Sequence, residues 1–422
     1  VVIDIPKDVQ QAVVNNYKYP EKINLRGYKP VTEGNIKQIK AAAKMISNAK
    51  KPLIYAGGGA VVSGAHEEIY ELATQCKIPV TTTLMALGVF PETHPLSLKM
   101  LGMHGTAYAN HAMVETDLII ALGARFDDRI TGKLSEFAKG SKIVHIDIDP
   151  CAISKNVAVD CPIVGDLKKV LQHLNKYVEP GDYSGWLEQV ENWKQENPLE
   201  YDREDMPEGE IKPQYVIECI SEVTKGKGLI VTEVGQHQMW TAQFYNFAQP
   251  RHFLTSGGLG TMGYGFPAAI GAKMACPEET VIDIAGDGSI QMNIQELATA
   301  VNYGVPVIIA VLNNRYLGMV RQWQDMFYER KYAGVNLESA DELGQDKKGG
   351  VYLPDFVKLA EAYGAAGMRV TKKEDVVPTI ESAIKMKKVV LIDFMCTKEE
   401  NVFPMVPAGK GLNEMIKGVV LV

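Results

Sequence analysis

Short apolar runs of strand length alternate along this chain with longer stretches whose apolar residues return every three or four positions. The runs predict buried strands and the stretches amphipathic helices. Asn35 to Ala49, with Ile36, Ile39, Ala43 and Ile46 on one face, predicts a helix. Pro52 to Ala56 predicts a strand that ends in Gly57-Gly58-Gly59. A helix over Ala65–Cys76 follows, then strands over Pro79–Thr83, Asp117–Leu122 and Ile143–Ile148 and a short one at Ile163. A second series begins near Ile211. It has helices over Gln214–Val223, Phe266–Met274, Asn293–Tyr303, Pro354–Tyr363 and Glu374–Met386. Its strands fall over Leu229–Thr232, Val281–Ala285, Val305–Leu312, Gly367–Val370 and Val389–Phe394. Strands separated by helices predict parallel sheets, so the fold class is α/β with two doubly wound domains, 31–178 and 211–396. Residues 179–210 read as a charged linker containing one helix with Trp186 and Trp193. Residues 1–30 read as a connector, with Val1–Ile5 as a buried strand stopped by Pro6. Leu337–Gly350 is a polar insert. Residues 397–422 form a C-terminal arm without periodicity, expected to wrap another part of the molecule.

Composition changes this picture little and excludes some partners. At 422 residues, 46% hydrophobic and 23% charged, the chain has the makeup of an ordinary globular protein. A net charge of -7 and the lack of a basic run argue against nucleic acid. No apolar stretch approaches the ~18 residues needed to span a membrane. The six cysteines lack CxxC spacing, which points to reduced core thiols and to the cytoplasm, or to a plastid or mitochondrial interior in a eukaryote.

The candidate chemistry lies at strand ends. Gly286-Asp287-Gly288 follows one predicted strand, and Asn313-Asn314 ends the next, with 24 residues between the two motifs. A strand-helix-strand unit brings the carboxyl ends of its parallel strands side by side, so Asp287 and Asn314 should meet where such sheets bind ligands. A carboxylate and an amide carbonyl are hard oxygen ligands of the kind magnesium prefers, and magnesium keeps other positions for water and phosphate. The glycines let backbone approach a phosphate. Read alone, GDG is equally a turn built on turn-forming residues. In the first series, Gly57-Gly58-Gly59, Gly123-Ala124-Arg125-Phe126-Asp127-Asp128-Arg129 and Asp147 all follow or end strands of one sheet. A glycine turn, guanidiniums and an acid that accepts from a ribose hydroxyl suit a dinucleotide when they occur together, although each alone is an ordinary loop feature.

The GDG–NN pattern resembles the diphosphate-binding motif of thiamine-dependent enzymes. Leu101–Gly105 (LGMHG), GARFDDRITGK, EVGQHQMW, TSGGLGTMGYGFPAAIGA, GMVRQWQ (Gly318–Gln324) and VFPMVPAGKG extend the resemblance over essentially the whole chain. Together with VVIDIPKDV, they are similar to the catalytic subunit of acetohydroxyacid synthase, also called acetolactate synthase. The resemblance implies a central FAD-binding domain at 31–178 and a thiamine diphosphate domain at 211–396, with a pyrimidine-binding domain preceding them whose last strand opens this chain. It implies that Asp287, Asn314 and the backbone carbonyl of Tyr316 ligate Mg2+. Val234, Gly235, Gln236, His237, Gly260, Gly288, Ser289 and Gly318 would hold the diphosphate side. Met262 would support the bent cofactor, while Met319 and Trp323 shape the 2-ketoacid pocket. Gly57, Gly58, Gly59, His104, Gly123, Arg125, Asp128, Arg129, Asp147 and Asp166 would line the FAD site. The implied reaction joins pyruvate to a second pyruvate or to 2-ketobutyrate with loss of CO2, in branched-chain amino-acid biosynthesis, with FAD not acting as its redox agent. A homodimer or homotetramer and a regulatory subunit are the implied partners. The family's catalytic Glu belongs to the preceding domain, so residues 1–422 alone are expected to make no acetolactate. A thiamine diphosphate/FAD pyruvate oxidase and a non-catalytic cofactor-binding fragment are the competing readings.

Overall fold

The computed structural model describes residues 2–204, 206–337 and 353–418. Six parallel strands build the first sheet: β1 (Pro52–Ala56), β2 (Val80–Thr82), β3 (Ser97–Met100), β4 (Leu118–Leu122), β5 (Lys142–Asp147) and β6 (Cys161–Val164). Their spatial order is β3-β2-β1-β4-β5-β6. β1 and β4 are apolar and buried along their whole length, as strands covered on both faces must be. The chain steps outward from β1 to β3 and returns to lay β4 on the other side of β1. The turns leaving β1 and β4 therefore diverge, and such a reversal is where open α/β sheets bind ligands.

The second sheet contains β7 (Leu229–Thr232), β8 (Phe253–Thr255), β9 (Val281–Gly286), β10 (Ile308–Asn313), β11 (Ala366–Val370) and β12 (Val390–Met395). All its pairings are parallel, in the order β11-β12-β10-β9-β7-β8. Here the reversal falls between β7 and β9. β9 and β10 are buried throughout, and Ile308 to Leu312 pairs in register with Ile282 to Gly286. That pairing sets Asp287 one residue past the end of β9 and Asn314 one residue past the end of β10. The expected strand-helix-strand unit is therefore present, with its helix at Glu296–Asn302.

Several expectations need correction. Residues 2–5 are exposed and irregular, with Val2 96% accessible, because among the described residues no neighbouring strand offers them backbone hydrogen bonds. The linker is not a free connector in its first half. Its helix Ser184–Glu196 buries Trp186 and Val190 in the core of the first domain, where Trp186 donates to Pro52 O at 3.0 Å. The triple glycine is not a bare turn, since Gly57 caps a short helix, Gly58–Ser63. Cys151 is exposed, whereas Cys76, Cys161, Cys219 and Cys396 are buried, and all six thiols are free. Apart from Leu337, the insert Leu337–Gly350 lies outside the described residues.

The C-terminal arm wraps both domains. Val402 enters the second core and Val406 and Leu412 the first. Val406 N donates to Met103 O at 2.8 Å, and Lys133 N to Lys410 O at 2.9 Å. Among the described residues no helix is long and apolar enough to cross a membrane.

Candidate active site

The ends of β7, β9 and β10 border a cavity of about 90 Å3. Thr232 ends β7 and is followed by Glu233, whose buried carboxylate accepts from Gly263 N at 2.6 Å and Phe266 N at 3.0 Å. Those amides open the helix Gly265–Ala275, so Glu233 fixes the glycine-rich loop just ahead of it and with it Met262, which lines the cavity. Burial raises the Glu233 carboxyl above its ordinary range, and the four backbone amides around it oppose that rise.

The helix Gln236–Phe244 begins at the cavity. Gly235, Gln236 and His237, its cap and first residues, line the wall, with Val234 before them. A helix amino terminus presents backbone N–H groups and the positive end of its dipole, which suits a diphosphate. His237 is buried, its Nε2 has no partner, and burial lowers its pKa to about 3, so the ring is neutral. Gln236 is held from several sides. Its Nε2 donates to Gln322 Oε1 and to Glu400 O, both at 2.9 Å, while its Oε1 accepts from Asn314 Nδ2 at 3.3 Å. A Cβ at Gly318 would sit 2.0 Å from that Oε1, so glycine is needed there for Gln236 to reach Asn314.

Asp287 is 1% exposed. Its Oδ1 accepts from Gly288 N at 2.9 Å, and its Oδ2 is buried without a partner. Burial raises its carboxyl to about 7. Asn314 Oδ1 accepts from Tyr316 N at 3.2 Å, which ties the next residue of the turn to it. Asp287, Asn314 and Tyr316 all line the cavity, as do Gly288, Ser289, Gly318 and Met319. An orphaned carboxylate oxygen beside an amide and a backbone carbonyl fits a hard divalent cation, because each supplies oxygen. Among the described residues no group of three His, Cys, Asp or Glu could hold a metal, so any metal here takes such a mixed set. The remaining wall is apolar: Leu312, Leu317, Val320 and Trp240.

Two of the expected residues stand apart. Gly260 lies in the exposed loop at φ +65°, and a Cβ there would meet only Val234, at 3.8 Å. Trp323 is half-buried on the helix Gly318–Phe327, packed against Phe327 with ring centres 5.1 Å apart and planes tilted by 51°, and is not part of the cavity wall. The sequence reading missed Glu233, Trp240 and Gln322. Glu233 and Trp240 are the first and last residues of the EVGQHQMW motif, and Gln322 follows Arg321 inside GMVRQWQ, so their motifs were legible while their contacts were not.

The expected flavin residues gather at the carboxyl edge of the first sheet, in varied settings. Gly57 and Gly59 press on the turn after β4. A Cβ at Gly57 would lie 2.4 Å from Gly123 O, one at Gly59 2.8 Å from Gly123 Cα, and Gly123 itself takes φ +60°. Their first duty is backbone contact between two turns, with Gly59 N donating to Gly123 O at 3.0 Å. Gly58 packs on Met85. Asp166 caps the helix Leu167–Leu174 by accepting from Lys169 N at 3.2 Å, and Asp147 Oδ1 accepts from Asp149 N at 2.9 Å. Arg125 and Arg129 are exposed and pair with Asp127 and Asp128. His104 is buried, with Nδ1 3.3 Å from Pro404 O, and burial lowers its pKa to about 4. The buried hydroxyls of Tyr55, Thr82 and Thr83, at the ends of β1 and β2, have no partner. Orphaned donors at a strand-order reversal fit a polar ligand such as a dinucleotide.

Comparison with known proteins places these two domains. Residues 233–394 match the thiamine pyrophosphate enzyme C-terminal TPP-binding domain, and residues 39–174 match the thiamine pyrophosphate enzyme central domain. The acetolactate synthase large subunit of Haemophilus influenzae is 46% identical over 424 residues, covering 99% of this chain and 71% of that protein. The acetolactate synthase isozyme 3 large subunit of Escherichia coli is 44% identical over 426 residues, covering 98% and 71%. A probable acetolactate synthase large subunit of Methanocaldococcus jannaschii is 46% identical over 430 residues, covering 99% and 70%. With a thiamine diphosphate-binding domain matched across the cavity and identity of this level along the whole chain, the chain belongs to the acetolactate synthase large-subunit family of thiamine diphosphate enzymes.

Proposed function

We propose that this chain acts in the synthesis of acetolactate from two pyruvates, or of acetohydroxybutyrate from pyruvate and 2-ketobutyrate, each with release of CO2. The observation that carries the reading is the meeting of Asp287, with its unpartnered Oδ2, Asn314 and the amino terminus of the helix Gln236–Phe244 around one cavity. Thiamine diphosphate, when bound, supplies an electron sink for decarboxylation and carbon–carbon bond formation. The chain's residues do the rest. Asp287, Asn314 and the Tyr316 carbonyl hold Mg2+, which neutralises the diphosphate. Val234 to His237, Gly288 and Ser289 orient the diphosphate through backbone donors and the His237 ring, and Gly318 leaves room for Gln236. Met262 supports the organic part of the cofactor. Met319, with Leu317 and Val320, walls the substrate side and excludes water that would protonate the reacting carbon.

Among the described residues lining the cavity, Asp287 is the one carboxylate, and it serves the metal. Proton transfer on the aminopyrimidine side is therefore assigned to none of the described residues. FAD would be held at the carboxyl edge of the first sheet by the turns at Gly57–Gly59 and Gly123–Arg129 with His104 and Asp147, in a structural role. The relatives are named large subunits, which supports assembly with a smaller, regulatory partner subunit. The test is acetolactate formation, read as acetoin after acid decarboxylation, by a protein that carries these residues together with the preceding pyrimidine-binding domain the resemblance implies, supplied with pyruvate, Mg2+, thiamine diphosphate and FAD. Product that depends on thiamine diphosphate and is lost in Asp287→Ala is expected. Product formed without that cofactor, or flavin reduction stoichiometric with pyruvate consumed, would overturn the reading.

A further inference from the structure

We propose that Arg321 is a positioning residue for the metal-binding turn, acting through the ring of Tyr316. The inference rests on the metal reading above. Arg321 lies in the first turn of the helix Gly318–Phe327, and its side chain is 4% exposed. The guanidinium carbon is 5.5 Å from the centre of the Tyr316 ring and 5.5 Å from that of Tyr332, so a buried cation touches both rings. Nη1 lies 3.4 Å from Asn401 Oδ1, and Nη2 lies 3.5 Å from the exposed carboxylate of Glu399 on the C-terminal arm. Two of these partners, Tyr332 and Asn401, are themselves anchored to Asp325, one turn further along the same helix. Tyr332 donates to Asp325 Oδ1 at 2.8 Å, and Asn401 Nδ2 donates to Asp325 Oδ2 at 3.3 Å. The guanidinium is therefore held by groups that are fixed in turn.

Tyr316 needs such support. The residue before it, Arg315, takes φ +62°, the left-handed region that disfavours a side chain. The turn then pairs with a returning segment, where Leu317 N donates to Val335 O at 2.8 Å and Leu337 N to Arg315 O at 2.9 Å. Those bonds fix the backbone at residues 315 and 317, on either side of Tyr316. The Tyr316 carbonyl shares a planar peptide with Leu317 N, and the Arg321 contact holds the Tyr316 ring at the other end of that residue. A guanidinium can lie flat on two aromatic faces while donating at its edge, which an ammonium cannot do. Burial of the charge is also tolerable only with such partners, so the arrangement has little freedom to relax.

Arg321→Met and Arg321→Lys, with Tyr332→Leu as a variant that leaves the buried charge in place, test this. The readout is the Mg2+ concentration that half-saturates the change in tryptophan fluorescence at saturating thiamine diphosphate, since Trp240 lines the cavity. Thermal unfolding without ligands is measured alongside. Arg321→Met should raise the half-saturating Mg2+ about tenfold, a change of about 1.4 kcal/mol, with a smaller rise for Arg321→Lys and Tyr332→Leu. A purely structural role would lower the unfolding temperature and leave the Mg2+ requirement unchanged, and that result in any variant that folds would overturn the proposal. If the wild-type protein shows no Mg2+ dependence, the metal assignment falls, and this inference with it. If wild type depends on Mg2+ and the variants match it, only the inference falls.

Discussion

Asp287 has one oxygen tied to a backbone amide and one buried with nothing to hold it. The consequence is a carboxyl pushed up to about 7 by burial, against an ordinary value near 3.9. Below about pH 7 the ligand-free protein keeps that proton, and Mg2+ must displace it. Apparent Mg2+ affinity should therefore rise with pH from 6 to 8. Calorimetric titrations at pH 6 in two buffers of different ionisation heat should show release of close to one proton per Mg2+ bound, falling toward zero at pH 8. Heats that do not depend on the buffer would rule this out. Asp287 and Asn314 were legible in the sequence because turn residues at the ends of two neighbouring apolar runs have only one place to go. Glu233 was not. Nothing in its flanking residues says that it accepts the amides of a helix that starts 32 positions later. Asp283 was equally silent. It reads as one polar position in an apolar strand, yet both its oxygens are buried and unpartnered, and burial beside Glu233 raises it well above the carboxylate range.

At the scale of elements, the unit from β9 to β10 was readable because two unbroken apolar runs flank a helix with a clear apolar face. The helix Gln236–Phe244 was not, because nearly all of its residues are buried and no polar side marks a period. β3 and β8 are short edge strands, and the helix Gly58–Ser63 opens on glycine, which argues against a helix in any propensity reading. In the structure those glycines are explained by contact between two turns rather than by flexibility. Gly57→Ala would force a methyl to 2.4 Å from Gly123 O, and backbone cannot step aside as a side chain can. The variant should cost about 1–3 kcal/mol in unfolding free energy and weaken flavin retention, measured by denaturant titration and by absorbance after dialysis. Unchanged stability would show that the β1 and β4 turns tolerate separation.

The two domains were legible as two series of alternating elements, but their joining was not. It depends on side chains that bond to distant backbone and leave no periodic trace. Gln322 shows this well: its Oε1 accepts from Val402 N at 2.8 Å and its Nε2 donates to Val402 O at 3.0 Å, while Gln236 donates to it from the cofactor helix. Gln322→Leu should release the arm and cost about 2–4 kcal/mol through buried groups left unpaired. Limited proteolysis should then cut after residue 397, and an unchanged digestion pattern would contradict the clasp. Glu92 joins the domains from the other side, with Oε2 accepting from Phe247 N at 2.9 Å and Oε1 buried without a partner. Burial raises its carboxyl to about 7, so the folded state holds a proton that the unfolded state releases near pH 4.5. This group therefore makes the protein less stable as pH climbs from about 4.5 to 7, and its effect is constant above. Glu92→Gln should flatten that part of the unfolding profile by about 1–3 kcal/mol, and an unaltered slope would place the effect elsewhere.

The account stands on Asp287 and Asn314 holding the cation that grips the diphosphate. Its most direct test is a thiamine diphosphate titration followed by tryptophan fluorescence, with and without Mg2+, in wild type and in Asp287→Ala. Wild type should bind at least tenfold more tightly with Mg2+, a difference of about 1.4 kcal/mol or more, and the variant should show no gain from the metal. Equal Mg2+-dependent affinity in the two proteins would contradict it.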